Sequence, residues 1–370
     1  MKNYSISLPS YSIGDNVYDK ICEICLPFGK KAICIGGKTA ISKVKDLIIE
    51  ACCGSDLEIL DFLWYGGDAT YENVKKLEEN ELVKEADIIF GIGGGKALDT
   101  AKALAFKTGK NIFTFPTIAS NCAGTTAVSI MYNDDGSFKE PFFFTAAPRH
   151  CFIYTPVIAK SPARFMWAGI GDTYAKYFEA EMSSRGEDLV HYHALGVTTS
   201  QMCLTPLLKY GKKALEDFKS GTASFEVEQV VLDIVVTTGI ASILLTAEHI
   251  IDYNTGLAHA VFYALTSYPH IEENHLHGEV VGFGILILLL VDENEEMFKT
   301  MFDFNRSISL PTCLKDIEMS ESDLDKLVPM VCAMKDIDHN PYKITEEMVL
   351  KAFKKLEEYN KTTNKKEVTL

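Results

Sequence analysis

The chain has 370 residues, long enough for two domains, because one hydrophobic core rarely serves more than about 250–300 residues. With 36 lysines and arginines against 51 aspartates and glutamates, it carries a formal charge of −15, which repels a polyanion, so nucleic acid is excluded as a partner. Ten cysteines, and a start (MKNYSISLPSYSIGD) without the apolar stretch of a signal peptide, point to reduced thiols in a cytoplasmic protein rather than to a disulfide framework.

Along the chain, Cys22 and Cys25 in KICEICLPFG lie in a helix-like apolar period with no second cysteine pair at ligand spacing, so both read as packing thiols. From residue 31 to about 118, the β-rich runs KAICIGG, LEILDFLWYGG, ADIIFGIGGG and NIFTFPT alternate with amphipathic helical patterns. That alternation predicts a doubly wound α/β domain with a mainly parallel sheet. Asn133-Asp134-Asp135-Gly136 between two apolar runs predicts a hairpin. Past SPARF at 161–165, helical windows take over, which predicts an α/β domain over 1–162 and an all-α domain over 163–370. The run VVGFGILILLLV at 280–291 falls short of the ~20 residues of a bilayer span and reads as a buried helix, so no membrane is expected. The last ten residues, KTTNKKEVTL, read as a loose polar tail.

The segment ADIIFGIGGGKALDTAKALA runs an apolar strand into Gly91, Gly93, Gly94 and Gly95 and then into a helix, whose first amides face outward at an anion site. It is not a Walker loop, because Phe90 and Ala97 stand where that motif needs glycine and a hydroxyl residue. Nor is it the G-x-G-x-x-G fingerprint, because Lys96 takes the last glycine position.

In FMWAGIGDTYAKYFEA, Gly169 and Gly171 mark a bend that places Asp172 in the first turn of the next helix, while His259 in GLAHAVFYAL and His277 in NHLHGEVVGFGIL each sit in an apolar helical stretch, where an imidazole or carboxylate is costly unless paired or metal-bound. Two histidines and a carboxylate suit zinc first and iron(II) second, with a coordination position left open. His191, His193, His249, His270 and His275 compete by chemistry, and spacing alone does not decide among them.

Taken together, GIGGGKALDTAKALA, FPTIASNCAGTTAVSIMYNDDGSF, SPARFMWAGIGDTYAKYFEA, GLAHAVFYALT and HGEVVGFGIL resemble the glycerol dehydrogenase branch of the iron-containing alcohol dehydrogenase superfamily. The resemblance implies a dinucleotide-binding domain, a helical metal- and substrate-binding domain, a homo-oligomer, and a metal on Asp172, His259 and His277. It assigns Gly94, Gly95, Lys96 and Asp99 to the pyrophosphate turn. Thr117, Ser120, Thr126, Val128 and Tyr132 match positions that line the cofactor. A histidine that many superfamily members use as a fourth ligand is replaced by Lys176, so three protein ligands are implied.

Two departures bear on substrate and coenzyme. Cys122 replaces an aspartate that holds the polyol in glycerol dehydrogenases, and a thiol accepts hydroxyl hydrogen bonds weakly. The motifs around it look closer to hydroxycarboxylate dehydrogenases. The expectation is therefore a metal-dependent NAD(P) oxidoreductase acting on a small 2-hydroxy acid/2-oxo acid pair, with glycerol as the alternative and a dehydroquinate-synthase-like carbon–oxygen lyase as the alternative of another class. Gly37 replaces the aspartate that accepts the adenosine ribose hydroxyls, and Lys38 follows it, so NADP(H) is admitted beside NAD(H).

Overall fold

The computed structural model describes residues 4–367. Strands β1 (Ser10–Gly14), β2 (Lys31–Gly36), β3 (Glu58–Trp64), β4 (Ile88–Gly93), β5 (Asn111–Pro116) and β8 (His150–Tyr154) form one parallel sheet in the order β1-β8-β5-β4-β2-β3. β6 (Val128–Tyr132) and β7 (Phe138–Phe143) pair antiparallel around the expected turn. The four expected strands are present; β1 and β8 are additions to the reading. Ser10–Gly14 alternates polar and apolar residues on an edge strand, and His150–Tyr154 is too short for periodicity to separate it from the helix that follows.

Alternation along β2 sends Ala32 and Cys34 to one face of the sheet and Ile33 and Ile35 to the other, and all four are buried. Helix α1 (Lys38–Cys52) covers the first face with Val44, Ile48 and Cys52. Helix α2 (Gly95–Thr108) covers the second with Ala101 and Leu104. A sheet covered on both faces explains why its strands read as continuous apolar runs.

The chain separates into two compact units. One holds the residues up to Ala163 together with Glu216–Ile243, the other Arg164–Leu215 together with the chain from Leu244 on. Residues 216–243, read from sequence as part of the helical domain, thus group with the sheet. Helicity fixes no neighbour, and here the Thr125 hydroxyl donates to the Val235 carbonyl while a Cβ on Gly239 would lie 2.0 Å from Thr125 Oγ1. The helical run Phe225–Leu245 corrects a second expectation. With 21 residues and a mean hydropathy of 1.7 it is long and apolar enough to cross a membrane, but 78% of its apolar window is buried inside the protein, as in a core helix. Asp233 interrupts the apolar run and hid its length. The helix Glu346–Glu367 carries through residues 361–367 of the expected tail, and residues 368–370 lie outside the described residues.

The second unit is helical. Its relevant members are α3 (Ala163–Ser183), α4 (Leu257–Leu265) and α5 (His277–Val291), the last being the expected buried helix. Against the expected bend, α3 runs unbroken through Gly169 and Gly171, so Asp172 lies in mid-helix; Gly171 serves a close contact with the Gly278 backbone instead of a turn.

His150 ties β8 to β1, with Nδ1 2.5 Å from Ser10 Oγ and Nε2 3.0 Å from Ser12 Oγ. Burial, and then repulsion from Lys20, push its pKa down to about 4. The folded state therefore refuses a proton that the unfolded chain takes up below about 6.5, so stability falls as pH drops through that window. Between pH 7 and 5 the loss amounts to about 2 kcal/mol. Urea unfolding should show this slope in the wild type and a shallower one in His150→Gln; equal slopes would exclude it.

Candidate functional site

Two groups of side chains stand out, one in each compact unit. In the second unit, three helices approach at backbone distance because glycines remove the side chains that would keep them apart. A Cβ on Gly278 would lie 2.0 Å from the Ala168 carbonyl oxygen and 2.9 Å from Asp172 Cβ. On Gly171 it would lie 2.1 Å from the Gly278 carbonyl oxygen, and on Gly284 2.6 Å from that of Ala258. Asp172 follows Gly171, His277 precedes Gly278 and His259 follows Ala258, so the contacts that fix the helix crossings also place the three expected ligands.

His259 Nε2 is 3.7 Å and His277 Nε2 3.5 Å from the same oxygen, Asp172 Oδ1. One donor atom of each of the three lies within 4.8 Å of the others. Two ligands of a tetrahedral ion with bonds near 2.0–2.1 Å stand about 3.3 Å apart, so a small inward adjustment closes this triangle on one cation. The nitrogen, nitrogen and oxygen donors fit zinc or iron(II). His259 is sealed, with 8% side-chain exposure, while His277 at 43% faces solvent and packs edge-on to Phe262 at 4.3 Å between centroids. Burial by itself would raise the Asp172 pKa, but the hydrogen bond and charge of His277, with the charges of His259 and Lys176, outweigh it and bring the pKa to about 2.

Two further residues lie on the same face of α3 as Asp172. Lys176 donates to the Asn254 carbonyl and, at 2.9 Å, to Asn254 Oδ1. Glu179 accepts from the backbone N–H groups of Gly256 and His259 and lies 2.6 Å from His259 Nδ1. From sequence Lys176 stands only where a fourth ligand is missing, and Glu179 carries no motif signal of its own. The available signal was spacing, since positions 172, 176 and 179 lie on one helical face inside an apolar stretch. Of the competing histidines, His275 pairs with Glu279 at 2.8 Å and His193 packs on Tyr253 at 4.7 Å.

In the first unit, the strand order reverses between β2 and β4, and ligands of open α/β sheets bind outside the carboxyl ends of strands at such a point. Both strands end there in glycine turns. Gly37 caps α1 and Gly94 caps α2. A Cβ on Gly94 would lie 2.5 Å from Ile118 Cδ1 and one on Gly95 2.6 Å from Asn121 Nδ2, so only glycine leaves this concavity before the unpaired amides of α2. Such a cradle fits a pyrophosphate.

Lys96 Nζ pairs with Asp68 at 2.7 Å and sits 4.5 Å from the Tyr132 ring centre, so these two expected cofactor positions meet. Thr117, buried, donates its N–H to Gly93, and Ser120 is half-buried on the same connection. Asp99 is buried, pairs with Lys102 at 2.9 Å and accepts from the Ile130 N–H; Lys102 also donates to Thr126 Oγ1 and the Val128 carbonyl. The structure thus links Asp99, Thr126 and Val128 through a lysine the sequence reading did not single out, although an Asp and a Lys three residues apart on an apolar face are a readable pair. Cys122 is half-buried beside Gly239, and Lys38 Nζ lies 4.5 Å over the exposed Trp64 ring.

The family described as iron-containing alcohol dehydrogenase matches residues 9–153. The chain is 33% identical over 306 residues to a glycerol dehydrogenase of Thermotoga maritima, covering 80% of this chain and 81% of that one. It is 29% identical over 334 residues to hydroxycarboxylate dehydrogenase A of Escherichia coli, covering 89% and 90%. The crystal structure of a probable glycerol dehydrogenase from Sinorhizobium meliloti 1021 matches with a TM-score of 0.82 at 26% identity, over 97% of this chain and 99% of that one.

Gly278→Ala tests the crossing. The Ala168 carbonyl cannot yield without moving α3 from α5, and overpacking of this kind costs about 1–3 kcal/mol. The expected result is a lower thermal midpoint together with less zinc retained per chain; wild-type values for both would refute the crossing as the device that places the ligands.

Proposed function

The chain belongs to the iron-containing alcohol dehydrogenase family and is an oxidoreductase acting on CH–OH groups, and on that premise we propose that it moves a hydride between a nicotinamide dinucleotide and a small polyol of the glycerol type. The observation that carries this reading is the triangle of Asp172, His259 and His277, which we assign to one divalent cation, zinc before iron(II). When bound, such a cation supplies Lewis acidity at the oxygen of the reacting carbon. The exposed side of His277 leaves that oxygen a way in, and the sealed side of His259 keeps water from the other flank.

The α/β domain, read from sequence as residues 1–162, takes the dinucleotide, and the helical domain holds metal and substrate. Gly94, Gly95 and the start of α2 receive the pyrophosphate, with Lys96, Thr117, Ser120, Thr126, Val128 and Tyr132 along the cofactor. Asp99 acts from behind, holding Lys102 and through it the 126–128 segment. Removing one partner of a buried ion pair of this kind costs about 3–5 kcal/mol. At the adenosine end, Gly37 offers no carboxylate to repel a 2′-phosphate and Lys38 offers a charge, so NADP(H) is accepted beside NAD(H).

The polyol takes precedence over the 2-hydroxy acid expected from the sequence because the relative at 33% identity is named a glycerol dehydrogenase and the solved structure at 26% identity a probable one. Two observations favour the acid: Cys122 stands beside Gly239 without the charge that would repel a substrate carboxylate, and a relative at 29% identity is named a hydroxycarboxylate dehydrogenase.

Absorbance assays decide between them. The protein, loaded with zinc, iron(II) or manganese, is given NAD+ or NADP+ with glycerol, and NADH or NADPH with dihydroxyacetone, 2-oxobutanoate or 2-oxoglutarate. Faster turnover with the polyol pair is expected; turnover confined to the 2-oxo acids would reverse the order. His259→Ala should lose the cation and lower kcat/KM by more than about 100-fold, and retained activity after metal loss would sink the assignment. Lys38→Ala should raise KM for NADPH about tenfold and leave that for NADH near its wild-type value, whereas an equal change in both would remove Lys38 from coenzyme choice.

A further inference from the structure

We propose that Glu179 is a positioning residue of the metal centre, holding His259 in the tautomer that keeps Nε2 available to a cation. The inference rests on the metal reading given above and deepens it. Glu179 lies seven residues after Asp172 on α3, so both side chains leave the same face of the helix. It is buried, at 1% exposure, and all its hydrogen-bonding capacity is turned toward one short segment.

Oε1 of Glu179 accepts the backbone N–H of Gly256 at 2.9 Å and that of His259 at 3.0 Å, while Oε2 lies 2.6 Å from His259 Nδ1. Backbone N–H groups only donate, so Oε1 acts as an acceptor. A neutral imidazole has one proton to place, and a carboxylate oxygen at that distance draws it to Nδ1, from which it is donated to Oε2. The lone pair is then on Nε2, the atom that faces Asp172 Oδ1 at 3.7 Å. The other tautomer would set a lone pair against a carboxylate oxygen in a buried place, where an unmet acceptor is expensive.

Glu179 therefore fixes three things at once: the start of α4 through two backbone bonds, the orientation of the His259 ring, and which nitrogen carries the proton. Lys176, one turn earlier on the same face, anchors Asn254 and so fastens the other end of the segment, but it does not touch the ring. Carboxylate partners of metal-ligating histidines typically change metal affinity 10–100-fold when removed.

The test titrates zinc into metal-stripped wild-type protein and Glu179→Gln against a chromophoric chelator, and melts both without metal. Glutamine keeps the volume and still accepts the two backbone hydrogen bonds, so the stripped proteins should melt alike while zinc binding weakens about 10–100-fold. Equal zinc affinity would overturn the proposal. A second measurement needs no variant: in zinc-loaded wild-type protein with ¹⁵N-labelled histidine, the His259 proton is expected on Nδ1 and zinc on Nε2, and the reverse would overturn the proposal even if Glu179→Gln did not fold. Wild-type protein that takes up no zinc, iron(II) or manganese would instead refute the metal reading, which keeps the two failures apart.

Discussion

Backbone-to-backbone packing of α3, α4 and α5 is the constraint on which the cluster of Asp172, His259 and His277 depends. Helices that meet through ordinary side chains keep their axes about 8–10 Å apart. Gly171, Gly278 and Gly284 remove that spacing, and each pairs with a carbonyl oxygen one residue or a few residues from a member of that cluster. Because the contact on one side is rigid backbone, the geometry is set by sterics that no rotamer change can relax. The apolar length of α5, buried from Gly278 to Val291, then holds the crossing in place.

The same close packing creates an electrostatic problem that α3 solves itself. Burying Asp172 would drive its proton on, and the imidazoles and Lys176 reverse that tendency. Glu179 would be an expensive guest in an apolar helix, yet its two oxygens have three donors around them. In the sheet unit, Asp99 and Lys102 repeat the pattern: two charges withdrawn from water are tolerable because each meets the other and further hydrogen-bond partners on β6 and its approach. In both units a buried ion set fixes a segment that carries expected site residues.

Much of this was legible in the chain of letters. Four strands and the glycine turn at 91–95 announce themselves by period and composition, and Asp172, His259 and His277 stand out as expected ligands once their motifs are read together. Other features were not. Glu179 and Lys102 look like ordinary members of helices, because sequence shows that a charge lies on an apolar face without showing which backbone groups will meet it. Gly278 and Gly284 look like interruptions of a buried helix, although their absent side chains are what the neighbouring helices use. Residues 216–243 looked like more of the helical domain, since local periodicity identifies a helix but carries no information on its neighbour.

By itself the sequence determined the four inner apolar strands, the hairpin and the main helical segments, which glycines could sit at turns, and which side chains had the chemistry to hold a cation. These properties are local, set by backbone sterics, periodic burial and the donor atoms of each residue. Tertiary structure alone decided that donor atoms of Asp172, His259 and His277 come within 4.8 Å of one another, that His259 turns Nδ1 to Glu179 and Nε2 to Asp172, and that the Lys38 ammonium rests over Trp64. Those facts depend on distances between residues far apart in the chain, and such distances exist only after the helices and strands have packed.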